Sequence, residues 1–504
     1  MENKNIKNAM STENNLTWKH RIGYAAGDAG GVLTLVLLSG YMNRYVTNIL
    51  EIPFVTLSVL LLVWNIWDMV NDPLVGTFMD KVFEKTNGNK DKFRPWILAS
   101  IPVIVLGFIA FFSVPNLLSG FSAVAAIFLL KIVYEWGYTM MNIAMGSVLG
   151  AMALNDTERA SLSSARGIGL SVAQLLAGVI IPQILAALGE NPQSYFIAGV
   201  IIAVLGGFLV FIHYGWTEER NASARVESSE IAEENKVKFS DIFNVFRKNR
   251  AFLALILHSV IIVFGTTLYG QFNPYMYADV LGNIGLMTYT SILSQALSIF
   301  LLVIAPTLAS KIGGTANLIK NCLVIGGGLL GGLFFSMVTL DIPPLVYLVV
   351  SSVGFGLVNM SVQLQWGVVS EAMDYNEYLT GKRTEGAIYG TFSLTRRVGQ
   401  TISQSLAVLI IGWIGYNPEL TNLGLPQSEG TVLGIMAMNL AIPTIAAIGS
   451  WICFKFIWNI DDEKRVEIAQ WKVAQAGEIE DDEVVESLNG EVEDLEEAAL
   501  LGKR

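Results

Sequence analysis

The chain has 504 residues, 53% hydrophobic and 15% charged, with a net charge of −11 at pH 7 and a mean hydropathy of +0.51. An ordinary soluble domain is about one quarter charged; the deficit, with apolar runs of about 20 residues recurring along the chain, excludes a soluble globule and points to a polytopic helical membrane protein. The acidity is local, because Glu478 to Arg504 hold 11 acidic and two basic residues, and the remainder is near neutral, with no basic stripe for a nucleic acid.

Residues 1–21 are polar, so no signal peptide is expected. Apolar segments then fall at 22–49, 54–79, 95–114, 120–151, 162–188, 194–214, 251–277, 286–310, 317–340, 343–374, 385–414 and 430–458, which makes twelve spans. Basic residues cluster before span 1 (Lys19, Arg21) and after span 2 (Lys81, Lys85, Lys90, Lys92, Arg94). Others follow spans 4 (Arg159), 6, 8 (Lys311), 10 (Lys382, Arg383) and 12 (Lys464, Arg465). The alternate loops hold no Lys or Arg, so both termini are expected in the cytoplasm of a cell whose inner (plasma) membrane holds the chain. Arg44, near the outer end of span 1, is the exception.

Residues 215–250 form the longest charged connection and separate an N-terminal bundle (22–214) from a C-terminal bundle (251–458), leaving an acidic tail at 459–504. "PLVGTFMDK" (73–81) is echoed weakly by "PTLASK" (306–311). Two six-helix halves of this kind describe an all-α membrane protein with the major facilitator fold. The glycine run "GGGLLGG" (326–332) lies at membrane depth without the Lys-Ser/Thr of a phosphate loop, so it reads as close helix packing. Cys322 and Cys453 lie in apolar segments, and His20, His213 and His258 are scattered. No disulfide framework, cofactor or metal cluster is expected, and with no nucleophile–base–orienter set the chain does not read as an enzyme.

Charges inside spans carry the functional signal, since each costs about 3 kcal/mol at the bilayer centre on insertion scales. "WDMVNDPL" puts Asp68 and Asp72 one turn apart on span 2, with Asn71 bordering the same face. Two carboxylates and an amide oxygen suit either Na⁺ or a shared proton; the competing reading is a buried ion pair with another span. Asp28 of span 1 sits among small residues in "GYAAGDAGG". On span 4, Lys131 and Glu135 read as an i,i+4 ion pair, while Glu135, Thr139 and Asn142 share a stripe. Arg396 and Arg397 of span 11 either hold an anionic group or snorkel. On span 10, Gln363, Gln365 and Trp366 offer amides and an indole to a sugar. Glu371, Asp374 and Glu377 follow and are expected to pair with Lys382 and Arg383 as cytoplasmic gate bridges.

"WDMVNDPLVGTFMDK", "KFRPW", "ERASLSSAR" and "MDYNEYLTGKRTEGAIYGTFSLTRRVGQTI" together resemble the glycoside–pentoside–hexuronide:cation symporters, a branch of the major facilitator superfamily, over roughly residues 17–460. The resemblance implies a coupling-cation site at Asp68, Asn71, Asp72 and Thr139, with no metal beyond Na⁺ there. It implies substrate contacts at Asp28 and Arg166 and a basic residue at Arg397; with Asn142, Gln365 and Trp366 these are the expected substrate-binding residues, and Arg159, Glu371, Asp374 and Arg383 are the expected cytoplasmic gate. Melibiose permeases have an acid where this chain has Asn142, and a tryptophan where it has Gly146, which argues against a galactoside. "MMNIAMGS" and "FSLTRRVGQ" are more similar to the glucuronide-permease branch. The expectation is a monomer or weak oligomer that imports a sugar, by preference a hexuronide, with H⁺ or Na⁺. The alternatives are a lysolipid carrier of the same fold and a non-transporting sensor that docks a partner through its acidic tail.

Overall fold

The computed structural model describes residues 16–84, 91–153, 156–220, 249–381, 385–477 and Val492. Among them the chain is helical, with no strand. The first half gives α1 (Trp18–Arg44), α2 (Phe54–Glu84), α3 (Arg94–Phe111), α4 (Phe121–Met152), α5 (Asp156–Leu188) and α6 (Pro192–Trp216). The second gives α7 (Arg250–Tyr275), α8 (Met287–Lys311), α9 (Thr315–Thr339), α10 (Pro344–Thr380), α11 (Glu385–Trp413) and α12 (Glu429–Ile457), followed by α13 (Asp462–Gly477).

Ten of these helices are long and apolar enough to cross a membrane. The other two expected spans, α2 and α11, are long enough at 31 and 29 residues. They carry Asp68 and Asp72, and Arg396 and Arg397, respectively.

The helices form two compact units. The first contains Met1–Glu234 together with Tyr277–Ile292 and Val408–Ser428. It thus takes in the turn after α7, the start of α8, the end of α11 and the turn beyond. The second contains Asn235–Met276, Leu293–Ala407 and Glu429–Arg504.

Within the first unit α1 lies against α5 and α6. Lipid tails are as apolar as leucine, so helices associate here through close packing of small residues. A Cβ on Gly30 would stand 2.5 Å from the Gly206 carbonyl oxygen, which fixes the α1–α6 crossing. The helix starts follow capping rules. Thr17 and His20 form a reciprocal capping box at α1, and Asn191 and Ser194 form one at α6.

In the second unit the glycine run of α9 packs as its composition implies. Gly326 meets the backbone of Gly354 on α10, while Gly327 and Gly331 meet Ala447 and Thr444 of α12. The tail begins as an ordered helix: α13 returns to the end of α10, where Tyr375, Ile460 and Ile468 share an apolar cluster and Trp471 packs edge-on against Tyr378.

Five-residue π-helical turns recur in the chain, at Cys453–Ile457 as well as after α1 and α7. α1 and α7, the first helix of each half, both end in a five-residue π-helical turn, Tyr45–Ile49 and Met276–Val280. The fourth residue of each turn is polar, Asn48 in one and Asp279 in the other.

Candidate functional site

In the first unit α2 and α4 are pinned by a buried hydrogen bond. Asn71 Nδ2 donates to Thr139 Oγ1 at 2.9 Å, and both residues are buried. Asp68 lies nearly one turn before Asn71 and is half-buried. The side chain of Asp72 lies outside the described residues, but α2 runs unbroken through it, so its Cα stands one turn beyond that of Asp68. Lys131 and Glu135 of α4 form the expected i,i+4 ion pair, and the Lys131 ammonium sits 5.1 Å above the Trp64 ring. That pair consumes Glu135, so of the α4 stripe only Thr139 and Asn142 present neutral oxygens. Asn142 is half-buried and hydrogen-bonded to nothing among the described residues.

Asp28 of α1 meets Arg166 of α5, with Nε to Oδ1 at 3.2 Å. The Asp28 side chain is 12% exposed and that of Arg166 is 41% exposed, so the pair has a buried side and an open one. Gly146 and Gly167 border open space, since a Cβ on either would meet nothing within 4 Å. The Arg159 side chain lies outside the described residues.

In the second unit Gln365 is fully buried, and its amide donates to Val362 O at 2.8 Å within its own helix. The neighbouring stripe is open: Gln363, Trp366, Gly367 and Ser370 are all exposed along one face of α10. Trp366 meets Phe392 edge-on at 5.1 Å and Tyr389 at 5.4 Å, and the Arg396 guanidinium lies 5.2 Å from its ring centroid. Arg397 is exposed on the adjoining face of α11.

Two of the gate acids have partners that the sequence did not suggest. Glu371 binds Arg465 at 3.1 Å and Asp374 binds Lys472 at 2.9 Å, both on α13. The physical reason is the return of α13 against α10, which brings its bases alongside. Arg383 and Lys382 lie outside the described residues.

Sequence reasoning flagged Arg44 as an exception but assigned it nothing. Its guanidinium is buried, 1% exposed, and forms a fork on Glu190, with Nε at 3.0 Å and Nη2 at 2.5 Å. It also pairs with Asp279 and donates to the Tyr416 hydroxyl at 3.2 Å. Asn48 donates to Tyr416 at 2.8 Å and Thr421 to Asp279 at 2.6 Å. Burial pushes the Tyr416 phenol up to about 12, so it stays protonated and able to donate. The signal was present in the sequence, because Glu190 and Asp279 lie in or beside loops that hold acids but no bases.

Charged and polar side chains carried on long apolar helices suit a multi-pass membrane transporter. Residues 23–462 match the pattern of the MFS/sugar transport protein family. The chain belongs to that family, of the major facilitator fold. Among its relatives is the uncharacterized symporter YjmB of Bacillus subtilis, 28% identical over 92% of this chain and 96% of that protein. The glucuronide carrier protein homolog of Escherichia coli is 27% identical over 90% of this chain and 95% of its own length. A putative sulfoquinovose importer of Salmonella typhimurium is 25% identical over 91% and 94%. Among solved structures, the nucleoside transporter NupG superposes with a TM-score of 0.58 at 12% identity, covering 88% of this chain and all of that one, a likeness of fold alone.

Proposed function

We propose that the chain is a secondary active symporter that imports a hydroxylated sugar-type solute, by preference a hexuronide or other sugar acid, with Na⁺ or H⁺ by alternating access. The Asn71–Thr139 hydrogen bond carries this reading. It spends the amide nitrogen of Asn71 on α4, which leaves its oxygen to the face of α2 that holds Asp68 and Asp72. An amide oxygen, a hydroxyl and carboxylates are the hard donors a small cation needs, and adjacent carboxylates equally favour a shared proton. Cation binding would offset the cost of two membrane acids and raise sugar affinity, and linkage makes that effect reciprocal.

Asp28 and Arg166 supply an acceptor and a donor for sugar hydroxyls, and Asn142 of α4 is proposed as a further polar contact. Two of the relatives are named for glucuronide and sulfoquinovose, which each bear a group that is negative at neutral pH, and these two support an acidic sugar. The charge distribution of the loops supports a plasma-membrane protein with both termini cytoplasmic.

The test is uptake into vesicles of a glycoside and glucuronide panel under an imposed Na⁺ or H⁺ gradient. Accumulation of a glucuronide that collapses with one gradient fixes substrate class and coupling ion together. Failure of every sugar under both gradients refutes the reading.

A further inference from the structure

Arg396 is the twelfth residue of α11, roughly 17 Å along the helix from Glu385 at 1.5 Å per residue. A guanidinium at such a position is costly unless something neutralises it. No carboxylate among the described residues does: its contact is the face of Trp366, at 5.2 Å. The three nearest rings are arranged for this contact. Tyr389, Phe392 and Arg396 fall at i, i+3 and i+7 on α11, so they form one stripe, and Phe392 holds Trp366 edge-on from below while Tyr389 flanks it.

Stacking orients the guanidinium without using its donors. The indole attracts the face of the planar cation, and the five N–H groups point outward from its edge. The surroundings are open, because Trp366 is 37% exposed and Tyr389 51% exposed. The exposed row beside them is polar (Gln363, Ser370), and a Cβ on Gly367 or Gly390 would meet nothing within 4 Å.

We propose that Arg396, stacked on Trp366, is the residue that reads the negative group of the transported solute, accepting a carboxylate or sulfonate on its free N–H fork. An anion supplies the missing counter-charge, and a planar bidentate carboxylate or a sulfonate matches the fork. Arg396 then separates acidic sugars from neutral ones. The inference rests on the sugar-acid reading above and assigns its specificity to one side chain.

The test compares full-length wild type with Arg396→Gln in detergent, with methyl β-D-glucuronide, methyl β-D-glucoside and methanesulfonate as probes, by calorimetry and thermal protection. Arg396→Gln is expected to weaken the glucuronide about 10- to 150-fold, the loss of one charge-assisted bond, while the glucoside changes little. Methanesulfonate is expected to protect wild type but not the variant. Arg396→Lys, which keeps the charge but not the fork, covers the case in which Arg396→Gln fails to fold, and is expected to lose about 10-fold. Unchanged glucuronide affinity, or an equal loss for glucuronide and glucoside, overturns the assignment. If wild type binds neither sugar, the sugar reading has failed. The anion site then stands on methanesulfonate protection that Arg396→Gln abolishes, and falls if wild type and variant respond alike.

Discussion

Arg44 and Glu190 form a forked ion pair that is almost fully withdrawn from solvent, and the same guanidinium reaches Asp279. The cluster ties the end of α1 to the α5–α6 turn and to the turns that follow α7 and α11, all in the first unit. Asn48 and Asp279, fourth in their respective π turns, share hydrogen-bond contacts with the hydroxyl of Tyr416. One base against two acids explains how a lone arginine persists at the end of span 1 that otherwise lacks them.

Removing that base strands two buried acids side by side. Arg44→Gln is expected to cost about 3–5 kcal/mol, the usual consequence of breaking a buried pair from one side. Adding Glu190→Gln removes one stranded charge, so the double variant is expected to be more stable than Arg44→Gln alone. Thermal unfolding in detergent measures both. A single variant within about 0.5 kcal/mol of wild type would show that the cluster holds nothing.

Tyr416 gives the cluster a pH signature. A free phenol ionises near 10, and burial raises this one to about 12. The raised value means that its contribution is complete below pH 10 and is lost as pH climbs toward 12. Wild type is therefore expected to lose more stability between pH 10 and 12 than Tyr416→Phe does. Parallel stability curves across that window would contradict the assignment.

The coupling site predicts a separation of functions. Asp72→Asn should insert and fold, yet fail to accumulate substrate against a gradient, while equilibrium exchange of labelled for unlabelled sugar persists. Retained accumulation in right-side-out vesicles would remove Asp72 from the coupling machinery.

What could be read from the sequence depended on what each feature costs. The apolar helices and the packing role of Gly326, Gly327 and Gly331 follow from hydropathy and residue size, which are local properties. Asp68, Asp72 and Arg396 stood out because a charge in a span is expensive wherever it points. Partners were harder. Glu371 and Asp374 were matched to the nearest bases in sequence, whereas they bind Arg465 and Lys472, more than 90 residues on. The four-part Arg44 cluster joins residues up to 372 apart, and nothing in a linear pattern encodes such a meeting. Gln365 and Trp366, adjacent in sequence, point to a buried helix contact and to an open stripe, a difference of 100° that only the helix phase decides.

Thr139 tests how the cation is held. Thr139→Val keeps the shape but removes the acceptor of the Asn71 amide and one oxygen beside the acids. The loss of about 1–2 kcal/mol should raise the half-saturating cation concentration roughly 10-fold, with maximal uptake preserved at saturating cation. An unchanged cation dependence would place the coupling ion elsewhere.

The last prediction concerns the tail, where two truncations should differ. Arg465 and Lys472 of α13 neutralise Glu371 and Asp374 at the end of α10, and Ile460 and Ile468 fill an apolar cluster with Tyr375. Deleting 478–504 keeps every one of these contacts, so uptake and melting temperature should stay close to wild type although 11 acidic residues are lost. Deleting from residue 459 strips both bases and uncovers the cluster, so melting should fall by several degrees even if the twelve spans still insert. The charge-reversed pair Glu371→Arg with Arg465→Glu should restore much of the stability lost in either single reversal, which separates the ion pair from simple loss of packing. If the shorter deletion abolished uptake while stability held, the acidic segment would be acting on a partner, and the non-transporting sensor would become the better reading.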